Sequence, residues 1–517
     1  AGKAYRRVAD TYAVCLLFMT PVVLAYWSAQ HGSLEYVTAL NSYLPLFLIA
    51  VLTYLTIRTV RIIPDTVWTG FVWVPVQSAV FYGFGPLVIN WGNDATLLSA
   101  FGGVFWPSQQ DLIRAHLLSS LGIWLLLFGM WLVMVTAPLP ARLRDPKKRA
   151  EPLTAARVGP FAVGTILAGG IFTYLVVRPV QWGLVDITIP GVLSTFGPLT
   201  DLGFGMLAYA TTLRGGRRWL PVFVALFIPH VFLSLLTFAK LAVVIAVLLP
   251  ILGMYLGRRK ISDLVIGAGL VLVVFLIIVP VVAHGRAALL ERHGDHNEGG
   301  YAERAEIVLD YFVGMSAHVP PQESVGESQV QHWWLRLNYS GPQAAAMRLY
   351  DRGIIHNDLK NAWMRFIPRA IWPNKPIMIG PGREFYRTIS GRDDATVLVG
   401  ASIYGDMYWH YGWWGVVAIA PVVGVVFGIF SRLFLLYVID RRLLYFPIVL
   451  LAIPWFALGP NSYLTNGIIG TVPMFIAYLI LFKAVEDIVL RPARRRTQAP
   501  EVHSFLPLHC RRPLTAR

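Results

Sequence analysis

The chain reads as an all-α polytopic membrane protein, and three observations predict this. Of its 517 residues 56% are hydrophobic and only 14% charged, with a mean hydropathy of +0.58, whereas soluble domains carry about 25% charged residues. Twelve apolar runs approach the roughly 20 residues needed to cross hydrocarbon, and Lys and Arg gather in alternate connections between them. The two cysteines, Cys15 in an apolar run and Cys510 near the end, are too few and too far apart for a disulfide framework or a thiolate metal site.

In order, the runs lie near 11–29, 39–57, 66–89, 112–136, 159–177, 192–213, 219–238, 241–257, 263–283, 412–438, 444–459 and 465–486. The first is expected to be a retained span rather than a cleavable signal. The second follows it after a short loop, and no small-residue cleavage site ends it. Only Ala239 and Lys240 separate the seventh and eighth runs, so these form either a tight hairpin or one long bent helix.

Orientation follows from the basic residues. With Lys3, Arg6 and Arg7 on the cytoplasmic side, alternate loops there hold Arg58 and Arg61, the cluster Arg142 to Arg157, Arg214 to Arg218, Arg258 to Lys260, and Arg441 with Arg442. This is the positive-inside pattern, with both termini cytoplasmic. Residues 1–283 then carry spans one to nine, 284–411 form a large external loop, 412–490 carry spans ten to twelve, and 491–517 form a basic, disordered cytoplasmic tail. The loop holds 13 basic and 14 acidic residues, so the net charge of +16 is mostly a topology signal and nucleic acid is excluded as a partner. Tyr301–Ala317 and Trp334–Tyr350 repeat apolar residues at helical spacing, predicting short amphipathic helices on the outer surface. Pro368 to Gly382 is too rich in Pro and Gly for a regular helix and is expected to be an ordered loop.

Candidate chemistry concentrates late in that block. PRAIWPNKP carries Arg369 and Lys375, flanked by Arg365 and Arg383, on a backbone fixed by three prolines. It is either an anion-binding loop or a proline-braced support. Arg114, Arg178, Lys240 and Arg286 interrupt otherwise empty outer helix ends; each either snorkels to the interface or joins others around an anionic group. In ASIYGDMYWHYGWWG, Trp413 and Trp414 suit an interfacial aromatic belt. Asp406 and His410, four apart, share a helix face as a base with its orienting partner, with a helix N-cap as the alternative for Asp406. Asp201, placed near mid-membrane, lines a cavity or pairs with a cation. HGDHNEGG at 293–300 and the Asp393-Asp394 pair lack zinc or calcium spacing, so no obligatory metal and no other cofactor is expected.

The twelve spans, the single late outer loop, the PRxxWPxKP stretch and the YGDMYWHYGWWG segment together resemble the bacterial polymerases of O-antigen and exopolysaccharide repeat units. The topology matches along the whole chain. The motif is confined to Ile367–Gly415, at Pro368, Arg369, Trp372, Pro373, Lys375 and Pro376, then Tyr404, Gly405, Asp406, Tyr408, Tyr411, Gly412 and Gly415.

The resemblance implies a GT-C-like, metal-independent glycosyltransferase in the bacterial inner membrane, acting at the periplasmic face on undecaprenyl-diphosphate-linked oligosaccharides. A chain-length regulator and a flippase are the partners it suggests. On this reading Asp406 with His410 is catalytic, and Arg369, Lys375, Arg365, Arg286, Lys240 and Arg178 grip the diphosphate. Trp372, Tyr404, Tyr408 and Trp409 meet sugar faces. A ligase delivering glycan to another acceptor would need the same diphosphate grip. A flippase or other transporter would instead spread internal repeats and mid-membrane polar residues through the bundle, and a structural scaffold leaves the isolated outer cations unexplained.

Overall fold

Long apolar runs with few interior breakers become helices, since a backbone in lipid must satisfy its polar groups internally. The computed structural model describes residues 2–92, 105, 107–138, 154–185, 197–258, 260–294, 298–316, 334–335, 337–367, 372, 374–376, 381–391, 399–440, 442, 445–456 and 463–489. Among these there is no strand. Five helices precede the first departure from the predicted spans: α1 (Gly2–Ala29), α2 (Leu34–Ile62), α3 (Gly70–Trp91), α4 (Gln109–Thr136) and α5 (Ala155–Gln181). Then come α6 (Leu199–Thr212), α7 (Gly216–Leu235), α8 (Lys240–Arg258) and α9 (Val265–His293). The loop contributes α10 (Tyr301–Ser316), α11 (Ser340–Asp351) and α12 (Pro381–Ser390). The chain re-enters the bundle as α13 (Ser402–Ile439), continues through α14 (Phe446–Phe456) and closes with α15 (Gly467–Ala484).

Ten of these helices are long and apolar enough to cross a membrane, against twelve predicted spans. The shortfall is α6 and α14, which have 14 and 11 described residues. Both are nonetheless bundle helices: α6 packs along α5 and α8, and α14 along α3 and α13. The tight connection between the seventh and eighth spans is a hairpin. Leu235 ends α7, Lys240 begins α8, and Phe238 turns the chain with φ 46°. On α9, Val265, Ile266, Leu272 and Leu276 are exposed, an apolar surface suited to lipid. The chain is a helical membrane protein.

The central core is shared by α1 to α4, α13 and the last helices, and α4 with α13 is its most extensive pair. Ala420, Gly424 and Gly428 recur every four residues along α13, a small-residue seam that lets backbones approach. A Cβ on Gly424 would lie 2.0 Å from the Leu126 carbonyl oxygen, and one on Gly129 2.2 Å from that of Pro421.

The loop elements touch one set of helix ends. The Trp334 indole donates to the Phe84 carbonyl on α3, and Arg348 pairs with Asp111 at the start of α4. Tyr301 bonds the Tyr174 carbonyl late in α5, and Arg304 the Leu236 carbonyl after α7. Alternate crossing places all these ends together. α10 forms where a helix is predicted and leaves Leu309, Phe312 and Val313 exposed. α11 does not lie on the surface: it is wedged between α4 and α13 with most of its length buried. Its buried residues run from Ser340 to Met347 with Leu349; the small ones pack closely, and Ser340 and Gln343 find buried partners. His116 contacts Asn41 and Ser340, while Gln343 joins Ser119 to Ser402.

Gly424→Ala is expected to cost about 1–3 kcal/mol through forced separation of α4 and α13, read as a lowered thermal midpoint in detergent. Gly164→Ala, where an added Cβ meets nothing within 4 Å, should show no such loss.

Candidate functional site

α13 is two helices joined at a break. Tyr411 has φ −140° and ψ 16°, and Gly412 φ 60° and ψ −148°, a left-handed conformation that glycine adopts without strain. A Cβ there would also come within 2.8 Å of the Tyr350 ring. Above the break, the arm 402–410 is entirely buried, so its polar residues meet protein instead of lipid.

Asp406 and His410 do share a face of this arm, with Asp406 Oδ1 3.6 Å from His410 Nε2. Residues from the preceding loop complete the centre. His356 Nδ1 lies 3.2 Å from Asp406 Oδ1 and 3.5 Å from Asp358 Oδ1, while Asp358 Oδ1 lies 2.9 Å from His410 Nε2. Glu384 of α12 approaches His356 Nε2 at 3.4 Å. The His356 ring stacks on Trp409 at 4.2 Å and on His410 at 4.5 Å. Outer contacts fix each group. His410 Nδ1 meets the His356 carbonyl at 2.6 Å, Asp406 Oδ2 accepts from the Leu464 amide at 2.8 Å, and Asp358 Oδ2 accepts from the Thr465 hydroxyl at 2.7 Å. Asp406 is therefore no helix N-cap.

Burial opposes charge on His356, but hydrogen bonds to Asp406 and Glu384 and the charge of Asp358 outweigh it, raising its pKa to about 9. The Glu384 carboxyl is held below its usual range, first by its contact with His356 and against partial burial. Burial of Asp358 pushes the other way, yet the close His410 imidazole, the charge of His356 and the hydrogen bond from Thr465 hold its carboxyl low. Side-chain exposure rises from 0% at His356 and Asp406 through 11% at Asp358 to 34% at Glu384. Access to the centre is thus from the Glu384 side. Against the expectation of no metal, one ligand atom each from His356, Asp406 and His410 lie within 4.8 Å of one another, close enough to hold an ion.

The other predicted residues fall into separate places. Tyr408 donates to Asp351, and Arg114 reaches both, at 2.8 Å from Asp351 and 3.3 Å from the Tyr408 hydroxyl. Trp372 stacks on exposed Trp363 at 6.0 Å, leaving an aromatic surface open. Tyr404 and Trp409 are buried. Tyr404 fills the space beside Gly122 and Tyr82, and Trp409 lies between His356 and Phe385, so neither offers a face to a sugar. Lys375 donates to the Ile367 carbonyl at 3.1 Å and braces the proline loop. Arg365 lies in the 3₁₀ turn Asp358–Phe366; its side chain, Arg369 and most of Pro368–Gly382 lie outside the described residues, as do Asp393-Asp394 and the tail.

Arg178, Lys240 and Arg286 belong to a different neighbourhood. Arg286 bonds the Phe238 carbonyl at 2.9 Å, two residues before Lys240, and Arg178 bonds Gln181 at 2.8 Å, around a packing cluster that contains Trp182 and Phe238 and is distinct from that of Trp409. Asp201 pairs with His230 at 2.8 Å and, among the described residues, with no Arg or Lys.

Sequence reasoning missed His356, Asp358 and Glu384. The His-x-Asp pair in IIHNDLK was its available signal. Compared with family models, curated proteins and solved structures, the chain matches none.

Gly412→Ala is expected to lower stability by about 1–3 kcal/mol through backbone strain and the Tyr350 contact. The thermal midpoint should fall, and proteolysis of the native protein near 350–360 should quicken as the arm loosens.

Proposed function

We propose that this protein is a glycosyltransferase of the bacterial inner membrane that polymerises undecaprenyl-diphosphate-linked oligosaccharides into O-antigen or exopolysaccharide at the periplasmic face. One observation carries the reading. The Ile367–Gly415 segment that resembles such polymerases contains the Gly412 break and the arm on which the buried acid and imidazole centre is built. The distribution of Lys and Arg supports the periplasmic assignment.

The reaction has one bond forming and one breaking. An acceptor sugar hydroxyl attacks the anomeric carbon of the lipid-linked glycan. The bond to the diphosphate oxygen breaks, and the electron pair leaves with the lipid diphosphate. Glu384, the most open carboxylate of the centre, is the group placed to receive the hydroxyl proton. Asp406 and His410 are buried behind it and act as positioning residues. Trp363, exposed and stacked on half-buried Trp372, offers a stacking surface to a sugar ring.

A carrier with an apolar tail and an anionic head also suits the outer part of the α8 and α9 interface. A cavity of about 550 Å³ there is walled by Val244, Leu248, Val271 and Phe275 with Lys240 on its rim. Arg286 and Arg178 lie at the same helix ends, where they would favour negative charge developing on the leaving diphosphate.

Incubating purified protein with lipid-linked repeat units should yield a ladder of lengthening glycan. Transfer to lipid A core alone would make it a ligase, and relocation without new bonds a flippase. Glu384→Gln should abolish the ladder while the lipid-linked donor still binds; an active variant removes Glu384 as base. Val244→Trp narrows the groove and should raise KM for long-chain donors several-fold, with little change for a short-chain analogue. Equal effects on both would take the tail out of that groove.

A further inference from the structure

We infer that His356, Asp358, Asp406 and His410 form a binding site for one divalent metal ion of the zinc type, held by His356 Nδ1, His410 Nε2 and the Oδ1 atoms of both aspartates. The first support is the spacing of the donors. Four of the six donor separations are 3.2, 3.5, 2.9 and 3.6 Å, and one ligand atom each of His356, Asp406 and His410 lies within 4.8 Å of the others. An ion about 2.0–2.1 Å from four tetrahedral N and O donors separates those donors by about 3.3 Å.

A second and independent observation is the direction of the groups. His410 Nε2 and Asp358 Oδ1 are 2.9 Å apart, yet both are buried atoms that make no hydrogen bond among the described residues. They are off each other's axis, as donors are when they address a common third position. The His410 side chain is only 1% exposed, and a buried polar atom without a partner costs about 1–3 kcal/mol, a cost that coordination removes.

The outer contacts also match a metal centre. Ligating imidazoles fix their orientation by turning the second nitrogen to a carbonyl or carboxylate. Here His410 Nδ1 faces the His356 carbonyl and His356 Nε2 faces Glu384. Each aspartate is likewise held through its other oxygen, by Leu464 and Thr465. Asp406 and His410 stand at i and i+4 of a helix, a spacing that presents two ligands on one face.

Two imidazoles and two carboxylates make a borderline donor set, better suited to zinc than to magnesium or calcium, which favour oxygen ligands. Two carboxylates also balance a double positive charge in a space with little solvent. With all four positions taken by protein, the site is of the closed, structural kind. Its ion would clamp the 356–358 segment to the α13 arm. This inference goes beyond the glycosyltransferase reading and does not require it.

The test uses the full-length chain purified in detergent without chelators. Elemental analysis should find about one zinc per chain, and an Asp358→Asn, His410→Gln double variant roughly a tenth of that or less. Glu384→Gln, outside the ligand set, should retain the metal. Should the double variant fail to fold, zinc-edge absorption of the wild type decides: two nitrogen and two oxygen scatterers at about 2.0–2.1 Å are expected. A wild-type chain whose metal is substoichiometric or dialyses away, and whose thermal midpoint is indifferent to chelator and to added zinc, would overturn the site in favour of shared protons. Because no readout measures glycan growth, a metal-free chain that still makes ladders would count against the metal alone, and a zinc-loaded chain that makes none against the polymerase alone.

Discussion

The break at Tyr411 and Gly412 is the constraint on which the functional end of the molecule depends. A straight α13 would carry Asp406 and His410 along the axis of the span below, facing lipid or neighbouring apolar helices. Either place is costly for ionisable groups. The left-handed Gly412 frees the arm from that axis, and all of its residues 402–410 are buried against α11, α12 and the start of the last span. Tyr350 packs where a side chain at 412 would stand. One glycine therefore serves both the backbone turn and the close approach of α11.

Placing so many polar groups inside the protein demands partners, since an unmet buried donor or acceptor costs more than a hydrogen bond gains. The loop meets the demand by entering the bundle. α11 brings Ser340 to His116 and Gln343 to Ser119 and Ser402, while its rim is tied down by Arg348 with Asp111 and Arg114 with Asp351. Asp111 does double service, closing the capping box with Ser108 at the start of α4 and accepting from Arg348. Helix start, loop helix and buried centre are thus one mechanical unit.

How much of this was legible in sequence depends on how local each signal is. Membrane helices were, because a long apolar run reports itself. The two spans that came out short, α6 and α14, are those whose described helices are 14 and 11 residues. The Asp406 and His410 pairing was legible for the same reason, since four-residue spacing on a helix is local geometry. His356, Asp358 and Glu384 were not. They reach the arm through folding across 22 to 54 residues, and nothing in a single sequence records that approach. The burial of Tyr404 and Trp409 is not legible either, since an aromatic residue looks the same in sequence whether it faces a ligand or fills a core. The burial of α11 is not legible because its inward face mixes Met347 and Leu349 with small and polar residues, a pattern that an apolar count ranks low.

The separation of the acidic centre from the basic group follows from the same electrostatics. The His356 imidazole already holds the Glu384 carboxyl below its usual range, and a further cation from Arg178, Lys240 or Arg286 within a few ångströms would lower it again, leaving a poorer base for the proposed reaction. Their positions around Phe238 and Trp182, in a packing cluster distinct from that of Trp409, keep them from doing so. For a reaction in which one partner loses a proton while the other departs as a diphosphate, opposite charges are needed at two places at once. A bundle with both assemblies at the same set of helix ends supplies that separation without moving either. On the proposed reading, the acid and imidazole centre stays in place while the anionic head group sits beside Lys240 in the groove between α8 and α9.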